Sequence, residues 1–365
     1  MIRVLAVDDS ALMRKLLGEI FAAEGDFEAT FARNGLEALA LLDQVKPDVV
    51  TLDIQMPEMD GLTCLDRIML TRPCPVVMFS SLTSEGAQET LDALSLGAVD
   101  FVLKPTGAVS LKLDAFAAAL VDKVRTAAKA RLASTHRLAE RIRLRTRAGG
   151  AKHAPSAAPA KPVPKARSLN APIGERLVLV GVSTGGPPAL DALLEPLPAD
   201  FPWPIVIAQH MPASFTKALA ERLNKLYAVT VLEVARPTPL QAGHAYIGRG
   251  DADVIISRRS GGLFAVPAPA APERHWHPSA DRMVESALAV APAENLVGVL
   301  MTGMGDDGAT AMTTLRAQGG RTIAEAEETA VVWGMPGELV RAGGAEFIEP
   351  VDRIAARLLD IAGLT

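Results

Sequence analysis

An apolar run ends in a serine between glycines at Leu177-Val-Leu-Val-Gly-Val-Ser-Thr-Gly-Gly186, and an apolar helical stretch follows Pro187. A serine on a strand-to-helix turn is lifted clear of its sheet, and neighbouring glycines admit a substrate to the backbone, so Ser183 is a candidate nucleophile. Serine is inert at its own pKa, so acyl transfer requires a base, a group to orient that base, and donors for the oxyanion. The next apolar run, Ile205-Val-Ile-Ala-Gln-His210, ends in an imidazole, and a later one leads into Thr302-Gly-Met-Gly-Asp-Asp-Gly308. His210 is the candidate base, and either Asp306 or Asp307 the orienting acid. The backbone N–H of Thr184, at the helix start, is the candidate oxyanion donor, and such ester chemistry needs no metal.

Each of these residues also has a plain structural reading. Gly-x-Ser-x-Gly can be a tight turn or anion cradle, and a single histidine at a strand end is commonly a packing residue. Gly303-Met-Gly-Asp-Asp-Gly308 also fits a dinucleotide fingerprint, with Glu325 as its distal acid. Two adjacent carboxylates would repel a pyrophosphate, however, and Ser183 and His210 would go unused. The order serine, histidine, aspartate differs from the serine, acid, histidine order of α/β-hydrolases.

A second set of polar residues falls at the ends of apolar runs in the first third of the chain. Asp8 and Asp9 follow Val4-Leu-Ala-Val7, Asp53 ends Val49-Val-Thr-Leu-Asp53, Ser80 and Ser81 follow Val76-Val-Met-Phe79, and Lys104 follows Phe101-Val-Leu103. Ligand sites of open parallel sheets lie at the carboxyl ends of strands, so these residues should share one crevice. Three carboxylates together invite a hard cation such as Mg²⁺. The set suits phosphoryl transfer onto Asp53, with the metal and Lys104 neutralising oxygens and a serine hydroxyl bonding the product.

The elements that must position both sets alternate apolar runs with helical patterns, which argues for two α/β domains built on parallel sheets. The expected layout is a first domain over 1–120, a linker over 121–175 and a second domain over 176–365. Within the linker, a basic stretch of helical character over 121–147 precedes an Ala-, Pro- and Lys-rich segment with too little apolar surface to fold alone. From Lys123 to Ala171 there are thirteen Lys and Arg residues and one acid, Glu140, so the rest of the chain is strongly acidic. In the second domain, a strand is expected at Val229–Val234 and a hairpin over 244–266. Cys64 and Cys74 have neither disulfide nor metal-ligand spacing and read as reduced thiols. No apolar run approaches a membrane span and the first residues lack a signal-peptide pattern, so the protein is expected in the cytoplasm.

The first domain resembles response-regulator receiver domains over its whole length, from Val4-Leu-Ala-Val-Asp-Asp-Ser-Ala11 through Leu52-Asp-Ile-Gln-Met-Pro-Glu-Met-Asp-Gly61 to Phe101-Val-Leu-Lys-Pro105. That resemblance implies a flavodoxin-like sheet, Asp53 as phosphoacceptor, and Asp8 and Asp9 as acids of a Mg²⁺ site. It further implies Ser80 as switch hydroxyl, Phe101 as switch aromatic and Lys104 as the phosphate-binding cation. From about 176 onward the chain is similar to the catalytic domain of CheB-type protein-glutamate methylesterases. The similarity rests on Gly181-Val-Ser-Thr-Gly-Gly186, Gln209-His-Met-Pro-Ala-Ser-Phe215 and Met301-Thr-Gly-Met-Gly-Asp-Asp-Gly308.

The second resemblance implies a doubly wound, mostly parallel α/β esterase with Ser183 as nucleophile, His210 as base and Asp307 as orienter. The substrates it implies are glutamyl methyl esters, and glutamines, of methyl-accepting chemotaxis receptors, with a chemotaxis histidine kinase as phosphodonor and recruitment to receptor arrays. It also implies that the unphosphorylated receiver covers part of the esterase mouth. Family members often carry Asn at position 306, so Asp306 is the one rival to Asp307. The family's His-x-Pro-Ser landmark is out of step by one in His275-Trp-His-Pro-Ser279, and neither histidine is given a catalytic role. A DNA-binding output would be short and helical with a basic recognition helix, whereas this one is strand-rich and acidic, so no nucleic-acid partner is expected. A phosphorylation-gated binding module without catalysis is the other alternative, against which the intact Ser183, His210 and Asp307 argue.

Overall fold

The computed structural model describes residues 1–81, 83–105, 110–132 and 176–364, so most of the expected linker, with its run of arginines from 141 to 147, lies outside the described residues. The chain divides into two compact units, Met1–Ala154 and Pro155–Thr365.

In the first unit strands and helices alternate: β1 (Ile2–Val7), α1 (Ala11–Glu24), β2 (Phe27–Ala32), α2 (Gly35–Val45), β3 (Val49–Asp53), α3 (Gly61–Thr71), β4 (Val76–Ser80), α4 (Ser84–Ser95), β5 (Asp100–Leu103) and α5 (Ser110–Ala127). The sheet order is β2-β1-β3-β4-β5 and every pairing is parallel. Strands β3 and β4 are buried throughout, as expected of strands covered on both faces. Polar residues stop the turns: Ser10, Asn34 and Asp60 each accept a hydrogen bond from a first-turn amide of the following helix. Helix α5 runs to Ala127, seven residues past the boundary expected at 120. The physical reason is apolar spacing: Leu120, Val121, Val124 and Ala127 are buried, and Arg125 pairs with Glu24 and Asp26. The first basic residues of the supposed linker are therefore part of the first domain's surface.

The second unit comprises β6 (Leu177–Val182), α6 (Gly186–Leu194), β7 (Ile205–Gln209), α7 (Ala213–Leu226), β8 (Thr230–Val234), β9 (Thr238–Pro239), β10 (His244–Gly248), β11 (Ala252–Arg259) and β12 (Gly262–Pro269). There follow α8 (Ala280–Leu288), β13 (Leu296–Leu300), α9 (Ala309–Ala317), β14 (Arg321–Glu325), α10 (Met335–Arg341), β15 (Phe347–Glu349) and α11 (Val351–Ala362). Seven strands form a parallel sheet in the order β15-β14-β13-β6-β7-β10-β8. A three-stranded antiparallel sheet, β11-β12-β9, stands apart.

The hairpin expected over 244–266 is thus displaced: β10 inserts between β7 and β8, and the hairpin is β11 with β12. Short alternating runs do not reveal which sheet a strand joins. Central strands β6, β7 and β13 are buried at every position. The chain leaves β6 toward β7 on one side and returns through β13 on the other, so the switch in strand order falls at β6. Helix α8 lies close on this point, since a Cβ on Gly181 would stand 2.7 Å from Leu300 and 2.8 Å from Ala280. A buried, two-bonded ion pair of Arg222 with Asp191, at 2.9 and 2.8 Å, ties α7 to α6.

Candidate active site

Ser183, His210 and the 302–308 loop follow β6, β7 and β13, three neighbouring strands, at their carboxyl ends. The turn at Ser183 is pinned from several directions. Ser183 N–H donates to the Thr302 carbonyl at 2.9 Å, Gly186 N–H to the Ser183 carbonyl at 2.8 Å, and Gln209 Nε2 to the same carbonyl at 3.0 Å. The Thr302 hydroxyl donates to the Thr184 carbonyl at 2.9 Å. Gly303 is required by contact rather than by φ, because a Cβ there would stand 2.7 Å from that of Ser183. Ser183 and Thr184 are nearly buried, at 9% and 8% exposure.

His210 Nε2 lies 2.8 Å from Asp307 Oδ2, while its Nδ1 is buried and has no hydrogen-bond partner among the described residues. Asp307 is held at the start of α8. It accepts from the Ser279 hydroxyl at 2.8 Å, from Ala280 N–H at 2.6 Å and from Asp281 N–H at 3.1 Å. Burial alone would raise its pKa, but the bonds from His210 and the helix-start amides outweigh that and hold the carboxyl below its usual range. Asp306, its rival, is exposed. Of the two aspartates the fold brings only Asp307 to His210.

Several residues of this site carried no assignment from sequence. Trp276 stacks on His210, with ring centroids 5.6 Å apart and planes 8° from parallel. Ser279 caps α8 and bonds Asp307 at once. The Ser-Ala-Asp-Arg start of a helix was a legible cap signal, but its target was not. Of the two histidines in the displaced landmark, His277 Nδ1 pairs with Asp253 Oδ1 at 2.9 Å and His275 packs edge-on against Trp276. Among the described residues, neither histidine is hydrogen-bonded to Asp307 or His210.

In the first unit, Asp8, Asp9 and Asp53 bring one carboxylate oxygen each within 4.8 Å of one another. Lys104 Nζ lies 2.9 Å from Asp8 and 2.7 Å from Asp53. Burial lifts the Asp53 pKa, with Lys104 pulling against it, and the paired carboxylates keep Lys104 above its usual value despite its own burial. The Ser80 hydroxyl is turned into α4, 2.6 Å from the Thr90 hydroxyl and 3.3 Å from the Gly86 carbonyl. Phe101 is buried with Lys123 Nζ 5.0 Å above its ring. Three acidic side chains close together, two of them buried, fit a divalent cation held by oxygen ligands.

The fold and the two strand-end sites define a response regulator with a hydrolase-type output. Residues 4–115 match the model of the response regulator receiver domain, and residues 178–358 that of CheB methylesterase. A protein-glutamate methylesterase/protein-glutamine glutaminase 2 of Rhodopseudomonas palustris (strain BisB18) is 57% identical over 360 residues, covering 99% of this chain and 98% of that protein. A protein-glutamate methylesterase/protein-glutamine glutaminase 3 of Rhodospirillum rubrum is 53% identical over 358 residues, covering 98% of this chain and 95% of that protein. The solved CheB methylesterase catalytic domain of Thermotoga maritima is 34% identical, with a TM-score of 0.49, covering 51% of this chain and 98% of that one. The chain belongs to the CheB family of protein-glutamate methylesterases/protein-glutamine glutaminases.

Proposed function

We propose that this chain removes methyl groups from glutamyl methyl esters of methyl-accepting chemotaxis receptors, and deamidates receptor glutamines, under control of phosphorylation at Asp53. The observation that carries the reading is the 2.8 Å contact of His210 with an Asp307 fixed by three donors, beside the Ser183 turn. A neutral imidazole has one N–H and one lone pair. With Nε2–H donated to Asp307, the lone pair is on Nδ1. Ser183 Oγ attacks the ester carbonyl carbon and its proton passes to His210 Nδ1, with Asp307 stabilising the imidazolium. The proton then goes to the departing methoxy oxygen, releasing methanol and leaving an acyl-serine. Water, deprotonated by the same nitrogen, splits the acyl-serine and frees the glutamate carboxylate. With a glutamine substrate the leaving group is ammonia. The Thr184 N–H, at the start of α6, is the proposed oxyanion donor.

In the receiver, Asp8, Asp9 and Asp53 would hold Mg²⁺, which when bound neutralises phosphoryl oxygens. Lys104 pairs with the phosphoryl group on Asp53, and Ser80 turns from Thr90 to bond it, with Phe101 as the accompanying aromatic. A chemotaxis histidine kinase is the proposed donor, and receptor arrays in the cytoplasm the site of action. Among the described residues, no helix is long and apolar enough to cross a membrane. Methanol release from methyl-labelled receptor membranes tests the reading, using wild type, Ser183→Ala and Asp53→Ala, each with and without a small phosphodonor. Loss in Ser183→Ala, and indifference of Asp53→Ala to the donor, are expected. Receptor binding without methanol release by wild type would leave a binding module instead.

A further inference from the structure

Behind the His210–Asp307 pair lies a second carboxylate to which the catalytic steps above assign nothing. Asp253, on β11, has no solvent exposure, yet all its bonds run to one neighbourhood. Its Oδ1 accepts from His277 Nδ1 at 2.9 Å and Ser279 N–H at 2.8 Å; its Oδ2 accepts from Ala271 N–H at 3.1 Å and the Arg282 guanidinium at 2.5 Å. Three of these donors lie within residues 277–282. That same segment supplies Ser279 Oγ, Ala280 N–H and Asp281 N–H to Asp307, and begins beside Trp276, the ring stacked on His210. Ser279 joins the two carboxylates directly, giving its N–H to Asp253 and its O–H to Asp307.

We infer that Asp253 is a positioning residue for the reaction, anchoring the 276–282 segment so that Trp276 and the start of α8 fix His210 and Asp307 in register with Ser183. A buried carboxylate with no other evident task would be a costly way to close a loop unless several donors need one fixed point. Asp253 meets that condition, since the guanidinium of Arg282 balances its charge and four donors fill its two oxygens. The inference rests on the proposed roles of His210 and Asp307.

The test uses the full chain with phosphodonor and methylated receptor membranes. Asp253→Asn keeps the shape but sets an amide against donors. It is expected to lower kcat by about 10- to 100-fold, with KM within about twofold of wild type, because small misplacements of a reacting group cost rate rather than binding. Ser279→Ala, which keeps the N–H to Asp253 and removes the hydroxyl that donates to Asp307 and accepts from Arg282 N–H, should lower kcat as well. The double variant should fall well short of the product of the two losses, since both act through one segment. Multiplicative losses, a kcat within about twofold of wild type for Asp253→Asn, or a loss carried by KM would overturn the inference. Should Asp253→Asn not fold, His277→Ala serves, because it removes one donor to Asp253 at a side chain that is 20% exposed. An unchanged kcat there would equally overturn it. Full activity in an Asp307→Asn control would instead sink the triad reading itself.

Discussion

Glu325 closes β14 with 1% exposure and accepts hydrogen bonds from Thr302 N–H at 2.8 Å and the Thr329 hydroxyl at 3.1 Å. Burial pushes its pKa up from 4.5 to about 7, with the two donors pulling the other way. The native state therefore holds a proton that the unfolded chain gives up between those values. The group's contribution is full below about pH 4.5 and is lost as pH rises through about 7. At about 1.4 kcal/mol per pH unit the loss amounts to about 3 kcal/mol by pH 8. Glu325→Gln keeps an acceptor for Thr302 and has no proton to lose. It should exceed wild type in stability by less than about 1 kcal/mol at pH 5 and by about 3 kcal/mol at pH 8. For a unit of this size, the latter is a rise of about 6–12 °C in Tm. Calorimetry of the catalytic unit's transition across that range measures the gap. A gap that does not widen with pH would refute the assignment of a buried, near-neutral titration to Glu325.

Three further outcomes follow from the same geometry. Asp307→Asn should cut kcat for methanol release by about 10³- to 10⁴-fold, the scale seen when the orienting acid of a serine protease is neutralised, while exposed Asp306→Asn stays within about twofold. Equal losses would place the orienting role wrongly. Gly303→Ala drives a methyl against Ser183 and should cost about 1–3 kcal/mol in denaturant unfolding together with most of the activity; wild-type activity would show the turn to be loose. Arg222→Met strands Asp191 as an unpaired buried charge and should cost about 3–5 kcal/mol, much of it recovered when Asp191→Leu is added; two losses that simply add would mean the pair is not coupled.

Much of this protein was legible in its amino acids. Uninterrupted apolar runs such as Val4–Val7 and Leu177–Val182 announce strands covered on both faces, and helical spacing between them announces crossovers. Polar residues at the ends of those runs then mark the crevice. That placed Asp8, Asp53 and Lys104 together, and Ser183 and His210 at the ends of β6 and β7. Periodicity is a local property, however, and it does not carry strand order. It misplaced β10, which hides among short alternating runs, and it set the domain boundary at 120, giving the linker a basic helical stretch whose Val121, Val124 and Ala127 are buried in the first domain.

The residue pattern left Asp306 and Asp307 both open and only the resemblance favoured Asp307; the start of α8 adds a physical reason, since its amides and the Ser279 hydroxyl receive only that carboxylate. Trp276 on His210, Asp253 beneath Ser279 and Glu325 behind Thr302 join residues far apart in the chain. Which imidazole nitrogen faces the acid is likewise a matter of how β7 and β13 flank β6. Sequence determines what each strand can offer at its end, because side-chain chemistry and local pattern are properties of the chain. The tertiary structure alone decides which offers meet, because hydrogen bonds hold only within about 3 Å and that proximity is set by the packing of the sheet and its helices.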